Sequence, residues 1–217
     1  MAAEARAKHA HLPQVVAALE QAFAEGRIQR ERFIEGLPAL FEPELLTGLN
    51  ESELRNLELF VNYEATRRER EALVHSIAEF GLEVRGDSAW LEVHARVGGE
   101  VGYYDDLASF YRGTAINVNN TSLQMPHTVN QRVFDCPAAG GFLITDAQSD
   151  IADLFEEDEV VTYRTLDELR ELVQRYLVDA GARKAIVLRA QARIRAQHTH
   201  VHRLRALEGF LRERFAG

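Results

Sequence analysis

Through the first eighty residues, apolar side chains recur every three or four positions, which is the period of an amphipathic helix. The first set is Leu12, Val15, Val16, Leu19, Ala22 and Phe23, and the second is Phe33, Ile34, Leu37, Leu40 and Phe41. Asn50 and Glu53 form a capping-box pattern and predict the start of a long third helix, which Gly81 ends. Its expected buried side is Leu54, Leu57, Val61, Leu73, Ile77 and Phe80. We predict an all-helical segment over residues 1–80.

From residue 82 onward, short apolar runs alternate with helical periods, which is typical of a sheet built from strand–helix units. Strands are predicted at 82–85, 91–97, 115–118, 142–145 and 160–163. Helices are predicted at 105–111, 129–139, 150–155, 182–197 and 199–215, with one more after a capping box formed by Thr165 and Glu168. The last helix is expected to turn Val201, Leu204, Leu207, Phe210 and Leu211 inward. We predict an α/β domain over residues 81–217 with a Rossmann-like parallel sheet flanked by helices.

Charge and composition narrow the functional classes. The chain of 217 residues has 25 basic and 34 acidic side chains, a net charge of −9, which disfavours general binding of nucleic acid. A single cysteine forms no internal disulfide. Apolar runs stay well short of the roughly 18 residues of a membrane span. These features predict a reduced, cytoplasmic protein without a membrane span.

In an open α/β sheet, ligands bind outside the carboxyl ends of the strands. The segments that follow predicted strands are 98–103, 119–122, 127–130 and 138–141. The third begins a predicted helix, where unpaired N–H groups and the helix dipole favour a phosphate. Arg132 adds a positive charge there, and Asp135 lies one turn further, where it can accept hydrogen bonds from a diol such as a ribose. Packing of small residues and an Arg–Asp salt bridge are the alternative interpretation.

Two runs of residues carry a resemblance to a known family. Asn117–Thr121 reads NVNNT, and Asn130–Asp146 reads NQRVFDCPAAGGFLITD. Together they resemble the C-terminal half of the GT-B glycosyltransferases, and most closely the CgeB-like branch, which is named after a spore-maturation protein. Further matching features include Gly86-Asp87, Asp153-Leu154-Phe155 and His198-Thr199-His200. The resemblance covers roughly residues 60–215.

The resemblance implies a Rossmann-like half that binds a nucleotide-sugar donor without a metal or other cofactor. Asp135 matches the acidic residue that contacts the donor ribose, and Gly140 matches a glycine at a close backbone turn. Tyr103, at the end of the segment that follows Gly99-Glu100-Val101, is expected against the nucleobase. His127 stands where retaining relatives have an acidic residue that touches the sugar. The expected donor-binding residues are Tyr103, Asn120, Thr121, His127, Thr128, Asn130, Arg132, Asp135, Gly140 and Gly141.

GT-B enzymes close two Rossmann-like halves around the reaction, and the acceptor half comes first in the chain. Because residues 1–80 lack strand alternation, we expect the acceptor half to be missing from this chain and expect no sugar transfer by the chain alone. The alternative hypothesis is a non-catalytic protein-interaction module that retains the fold. Its amphipathic helices before residue 81 would then form a homodimer or partner surface.

Two other features favour structural roles, and a third is evenly balanced. Cys136 is predicted to pack in the core, since its neighbours are apolar. His198, His200 and His202 alternate across a helix start and therefore predict no metal site. Trp90 and Tyr103 fit equally well against a base or against the flank of the sheet.

Overall fold

A computed structural model describes residues 13–25, 41, 43–47, 49–125 and 127–215. These residues form two compact units. The first consists of the described residues up to His75 together with Thr121–Thr128, and the second of Ser76–Asn120 and the described residues from Val129 onward. The predicted helix at 33–41 falls outside the described residues except for Phe41, and so does Leu12. The predicted domain boundary between residues 80 and 81 stays a prediction.

Helices form most of the first unit in the part that the structure describes, and the segment 121–128 is irregular where it is described. It contains α1 (Pro13–Ala24), α2 (Pro43–Leu46) and most of α3 (Glu51–Ile77). Its core consists of Leu19, Phe41, Leu57, Phe60 and Val61, all of which are buried. The expected buried side of α3 is confirmed, since Leu57, Val61, Leu73 and Ile77 are buried and Leu54 and Phe80 are partly buried.

The predicted ends of α3 are confirmed by their hydrogen bonds. The Asn50 side-chain oxygen accepts from the backbone N–H groups of Ser52 at 3.0 Å and Glu53 at 3.1 Å, and Glu53 Oε2 accepts from Asn50 N–H at 2.9 Å. These bonds pair N–H groups that the first helical turn leaves without intrahelical partners. At the other end, Gly81 follows a short 3₁₀ turn with a φ of +79°, a backbone conformation that favours glycine.

Two short parallel sheets form the centre of the second unit. Strand β1 (Val84–Arg85) pairs with β2 (Val97–Gly98). Strands β3 (Asn117–Asn119), β4 (Leu143–Asp146) and β5 (Val161–Tyr163) pair in that order. Helices flank these sheets, which confirms the predicted α/β class with a Rossmann-like parallel arrangement.

The helices of the second unit are α4 (Leu107–Gly113), α5 (Arg132–Ala139), α6 (Ile151–Leu154), α7 (Leu166–Val178), α8 (Ala180–Gln197) and α9 (His200–Phe215). The core that they share with the sheet is Tyr111, Val133, Cys136, Leu143, Phe155, Val160 and Ile194. The second capping residue is confirmed, because Thr165 Oγ1 accepts from Glu168 N–H at 3.1 Å. Glu168 itself accepts from the backbone N–H of Arg164 at 2.7 Å.

Two predicted elements differ most from the structure, and the bounds of the other elements in this unit differ by one or two residues. Of the strand predicted at 91–97 only Val97 lies in β2, and its first two residues belong to a 3₁₀ turn over Ser88–Glu92, which the Asp87 carboxylate starts by accepting from Ala89 N–H at 2.9 Å. The helix predicted at 129–139 begins only at Arg132, since the Asn130 side chain accepts from Arg132 N–H at 3.0 Å. Short polar side chains of this kind favour turns and caps over helix interiors.

The predicted inward face of the last helix is also wrong. Val201, Leu204, Leu207, Phe210 and Leu211 on α9 are between 44% and 65% exposed. Periodicity identifies an apolar stripe on a helix, but it does not show that another element covers the stripe. Within the described residues, this face of α9 stays open to solvent.

Helices α4 and α5 approach each other closely at Gly141. A Cβ atom on Gly141 would lie 2.8 Å from Cys136 Sγ and 2.9 Å from the backbone oxygen of Tyr111. Backbone and core atoms have little room to move, so Gly141→Ala is expected to lower the free energy of unfolding by about 1–3 kcal/mol. Chemical denaturation followed by circular dichroism measures this change.

Gly113→Ala, at the end of α4, is the matched control, because a Cβ there meets nothing within 4 Å. The control is expected to leave stability unchanged or to raise it by a few tenths of a kcal/mol, since alanine restricts the unfolded chain. Equal stabilities of the two variants would contradict the close contact at Gly141.

Candidate functional site

Polar side chains gather where β3 and β4 end. The parallel register pairs Asn119, the last residue of β3, with Thr145, and pairs Asp146, the last residue of β4, with Tyr163. Asn119 is 1% exposed, Thr145 is fully buried and Asp146 is 6% exposed. Polar groups that leave water must be paired to avoid a large desolvation cost. Their partners therefore define the architecture of this edge of the sheet.

Asn119 makes hydrogen bonds in two directions. Its Oδ1 accepts from Arg132 Nη1 and, at 3.1 Å, from Asn130 Nδ2. Its Nδ2 donates to Thr145 Oγ1 at 2.8 Å. The backbone oxygen of Asn119 accepts from the Tyr163 hydroxyl at 3.1 Å. Asn119 thus connects the start of α5 to the neighbouring strand β4 and, through the Tyr163 hydroxyl, to β5.

The row of hydrogen bonds that begins at Asn119 continues beyond Thr145 and is called the polar chain below. The Thr145 hydroxyl donates to Asp146 Oδ1 at 3.2 Å, and Gln148 Nε2 donates to Asp146 Oδ2 at 2.5 Å. Gln148 is 7% exposed. The buried Asp146 carboxylate thus accepts hydrogen bonds from two side chains close to it in sequence. Thr145 links it to Asn119.

Asp135 and Tyr103 form the outer part of the site. The Tyr103 hydroxyl donates to Asp135 Oδ2 at 2.7 Å. This hydrogen bond and the negative charge of Asp135 raise the pKa of Tyr103 above its ordinary value. Tyr103 is 48% exposed, and its ring contacts the Tyr104 ring edge to face at 5.1 Å. A half-exposed aromatic ring therefore lies beside a partly exposed carboxylate.

Helix α5 holds Arg132 and Asp135 one turn apart, so both lie on the same side of the helix. The positive charge of Arg132 also reaches Tyr111, where it opposes the rise in the Tyr111 pKa that burial causes. The helix starts later than expected and the N–H groups of its first turn have partners, so the phosphate site expected at residues 127–130 stays a prediction. The N–H groups of Arg132, Val133, Phe134 and Asp135 all bond to acceptors on Asn130 or Gln131. The guanidinium group of Arg132 is a side-chain donor at this end of α5.

The predicted site residues fall into four places. Tyr103, Asn130, Arg132 and Asp135 lie together around the start of α5, and Asn120 directly follows β3. Thr121, His127 and Thr128 belong to the first unit, where Thr121 is buried and the other two are exposed.

Gly140 and Gly141 lie at the far end of α5, between this helix and the amino end of β4. Gly140 has a φ of +93° and its N–H bonds back to Cys136 and Pro137 oxygens, so it ends the helix. Gly141 permits the contact between α4 and α5. Both glycines therefore have structural roles at a distance from Arg132.

The sequence interpretation included Asn119 only as the first residue of the candidate segment 119–122. It did not identify the other residues that support the site, namely Thr145, Asp146, Gln148 and Tyr163. For Asn119, Thr145 and Asp146 the signal is that two buried strands end on polar residues, in Ile116-Asn117-Val118-Asn119 and in Leu143-Ile144-Thr145-Asp146. A polar residue at the end of a buried strand requires a partner, and parallel strands bring such residues together.

The histidines near the last helix have structural partners. His198 Nε2 contacts the Leu154 oxygen at 2.8 Å, and its ring packs against Phe134 and Phe155. His202 Nδ1 contacts Thr199 Oγ1 at 2.7 Å at the start of α9. Within residues 13–25, 41, 43–47, 49–125 and 127–215, no three His, Cys, Asp or Glu side chains are grouped to hold a metal ion.

The fold and the site define a class, which is an α/β domain with a polar, partly cationic site at the carboxyl edge of a parallel sheet. A comparison with protein families adds a match to the glycosyl transferase-like family over residues 67–209. This match covers well over half of the chain, so the chain belongs to the glycosyl transferase-like family. Comparisons with curated proteins and with solved structures found no match. Among the helices of the described residues, none is both long and apolar enough for a bilayer crossing.

Cys136 is fully buried in the core, and burial raises the pKa of its thiol to about 12. Since the thiolate is the reactive form, we expect Cys136 in the folded protein to resist a thiol reagent such as DTNB at pH 8. In denaturant the same thiol should react promptly. The chain has one cysteine, so the absorbance change reports this residue alone. Fast reaction in the folded protein would contradict the packing role.

Proposed function

We propose that this chain is the donor-binding half of a GT-B glycosyltransferase of the CgeB-like branch, and that it binds a nucleotide-sugar through its diphosphate and ribose. The observation that carries the proposal is that a cation, Arg132, and a partly exposed carboxylate, Asp135, lie on the same side of α5. The family match, which spans this helix, supports it.

In this proposal Asp135 accepts hydrogen bonds from the ribose hydroxyls. A carboxylate has two oxygens and about four acceptor sites, so Asp135 has capacity beyond its bond to Tyr103. Tyr103 donates a hydrogen bond to the same carboxylate and is half exposed, and in this proposal its ring lies against the nucleobase. The ribose and the base are then bound by neighbouring side chains.

Arg132 binds the diphosphate and stabilises the charge that develops on it as the leaving group departs. A fixed arginine supplies this stabilisation without a metal ion, and we propose a metal-free donor site. Catalysis also requires an acceptor hydroxyl held close to the sugar. We propose that the acceptor half lies outside this chain, so that the chain alone binds the donor and does not transfer the sugar.

A non-catalytic interaction module is the second candidate. The observation that favours it is the open apolar face of α9, where Leu204, Leu207 and Phe210 are each more than half exposed. Exposed apolar patches of this kind are typical of contact surfaces in proteins. The two candidates differ in whether the chain binds a nucleotide.

The first test is calorimetric titration of UDP, GDP and ADP, with their common sugar conjugates, into the wild-type chain and Asp135→Asn. We expect saturable binding of one nucleotide. The variant should weaken it by about 1–3 kcal/mol, the contribution of a charge-assisted hydrogen bond.

The matched control is Asp153→Asn, which removes the same charge from an exposed position on α6. It should bind the nucleotide as tightly as the wild type does. Absence of binding to every nucleotide by protein with a folded circular dichroism spectrum would overturn the donor site and leave the interaction module as the better candidate.

The second candidate is tested by the solution mass of the wild type and of Leu207→Glu, measured by light scattering. If α9 pairs with a second copy, the wild type has twice the chain mass of 24.5 kDa, and the variant, which places a charge in the apolar face, returns to one chain mass. A wild-type monomer that binds a nucleotide would exclude a self-associating module.

A further inference from the structure

The guanidinium group of Arg132 is held by a residue from a different part of the chain. Arg132 begins α5, yet its Nη1 donates to the side chain of Asn119 at the end of β3. Asn119 is 1% exposed, whereas Arg132 reaches the surface. A buried amide therefore holds one nitrogen of the guanidinium group of an exposed residue.

The orientation of the Asn119 amide follows from its neighbours. The Asp146 carboxylate only accepts hydrogen bonds, so the Thr145 hydroxyl at 3.2 Å donates to it. The Thr145 oxygen then accepts, and the group that faces it at 2.8 Å must be the N–H₂ of Asn119. The Asn119 oxygen is consequently directed towards Arg132 and Asn130.

The reversed amide would lose several contacts at once. Its N–H₂ group would face the donors of Arg132 and Asn130, and its oxygen would take the Thr145 proton away from Asp146. The hydrogen-bonded residues Asn119, Thr145 and Asp146 are each more than nine-tenths buried, so water does not replace the lost partners. The polar chain therefore has one direction, from Asn130 and Arg132 at one end to Asp146 at the other.

We propose that Asn119 is the positioning residue of the donor site, and that Thr145 and Asp146 fix its amide so that Arg132 is held in the orientation that binds the diphosphate. The diphosphate part of this inference rests on the proposed function. The orientation of Arg132 by Asn119 is independent of any ligand. An arginine held in advance loses less conformational freedom when it binds an anion than a mobile arginine does.

The first experiment compares two ligands, UDP and uridine, or the corresponding guanosine or adenosine pair if the titration selects another base. The ratio of their affinities measures the contribution of the diphosphate. We expect Arg132→Gln to reduce this ratio and Asn119→Leu to reduce it by a similar factor, about 3- to 10-fold. The double variant should lose no more than Arg132→Gln alone, since Asn119 acts on the diphosphate only through Arg132.

A purely structural role of Asn119 gives a different result. Asn119→Leu would then destabilise the protein, and the affinities for UDP and uridine would fall together or stay unchanged, so the ratio would keep its wild-type value. That result overturns the positioning role.

Because Asn119 is buried, its replacement can impair folding, and Thr145 provides a second pair of variants. Thr145→Val keeps the shape of the side chain but removes the acceptor for the Asn119 N–H₂ group and the donor to Asp146. Thr145→Ser keeps the hydroxyl. We expect the affinity ratio to fall in Thr145→Val and to be retained in Thr145→Ser. An unchanged ratio in a folded Thr145→Val variant overturns the role of Thr145.

A measurement without ligand separates this inference from the proposed function. In the wild type, hindered rotation of the Arg132 guanidinium should give resolved Nη proton signals in nuclear magnetic resonance spectra, assigned by their loss in Arg132→Gln. The signals should persist in Thr145→Ser and average in Thr145→Val. If no nucleotide binds, the donor-site proposal fails, and these spectra still decide the positioning of Arg132. Averaged signals in the wild type overturn it.

Discussion

The hydrogen-bonded contact between Asn119 and Thr145 is the constraint on which the second unit depends. The parallel register of β3 and β4 brings these two polar residues side by side in a layer that excludes water. A buried amide is tolerated only when its donors and its acceptor have partners. Asn119 obtains them from Thr145 on the neighbouring strand and from Asn130 and Arg132 at the start of α5. Satisfying one buried side chain therefore joins the sheet to the helix that carries the site.

Helix α5 is consequently fixed at both ends by different forces. At its start, the Asn130 side chain caps the Arg132 N–H and the helix cannot extend towards Thr128. At its end, Gly140 turns the chain with a positive φ and Gly141 lets α4 approach to contact distance. A side-chain hydrogen bond determines where α5 begins, and the two glycines determine where it ends and how closely α4 packs there. The eight residues between them place Arg132 and Asp135 on one side of the helix.

The charges of this site differ from those of the chain as a whole. The protein has a net charge of −9, which repels anions at long range, whereas Arg132 presents a positive charge at the carboxyl edge of the sheet. In the proposed function, an oriented cation beside a partly exposed carboxylate favours a ligand with both an anionic and a hydroxyl-bearing part over a simple anion. This arrangement agrees with membership of the glycosyl transferase-like family, whose match includes α5 and all three strands of the larger sheet.

The amino-acid sequence by itself determined the α/β class, the caps at Asn50 and Thr165, and the candidates Arg132 and Asp135, because periodicity, capping and spacing along one helix are local properties. The supporting residues around Asn119 and the exposure of α9 depended on contacts between distant segments, which no local pattern encodes. The start of α5 was misjudged for a related reason. Helical periodicity continued through Val129, but a side-chain bond from Asn130, itself held by Asn119, took the backbone group that a longer helix needed. Only the tertiary structure decided which polar groups were paired.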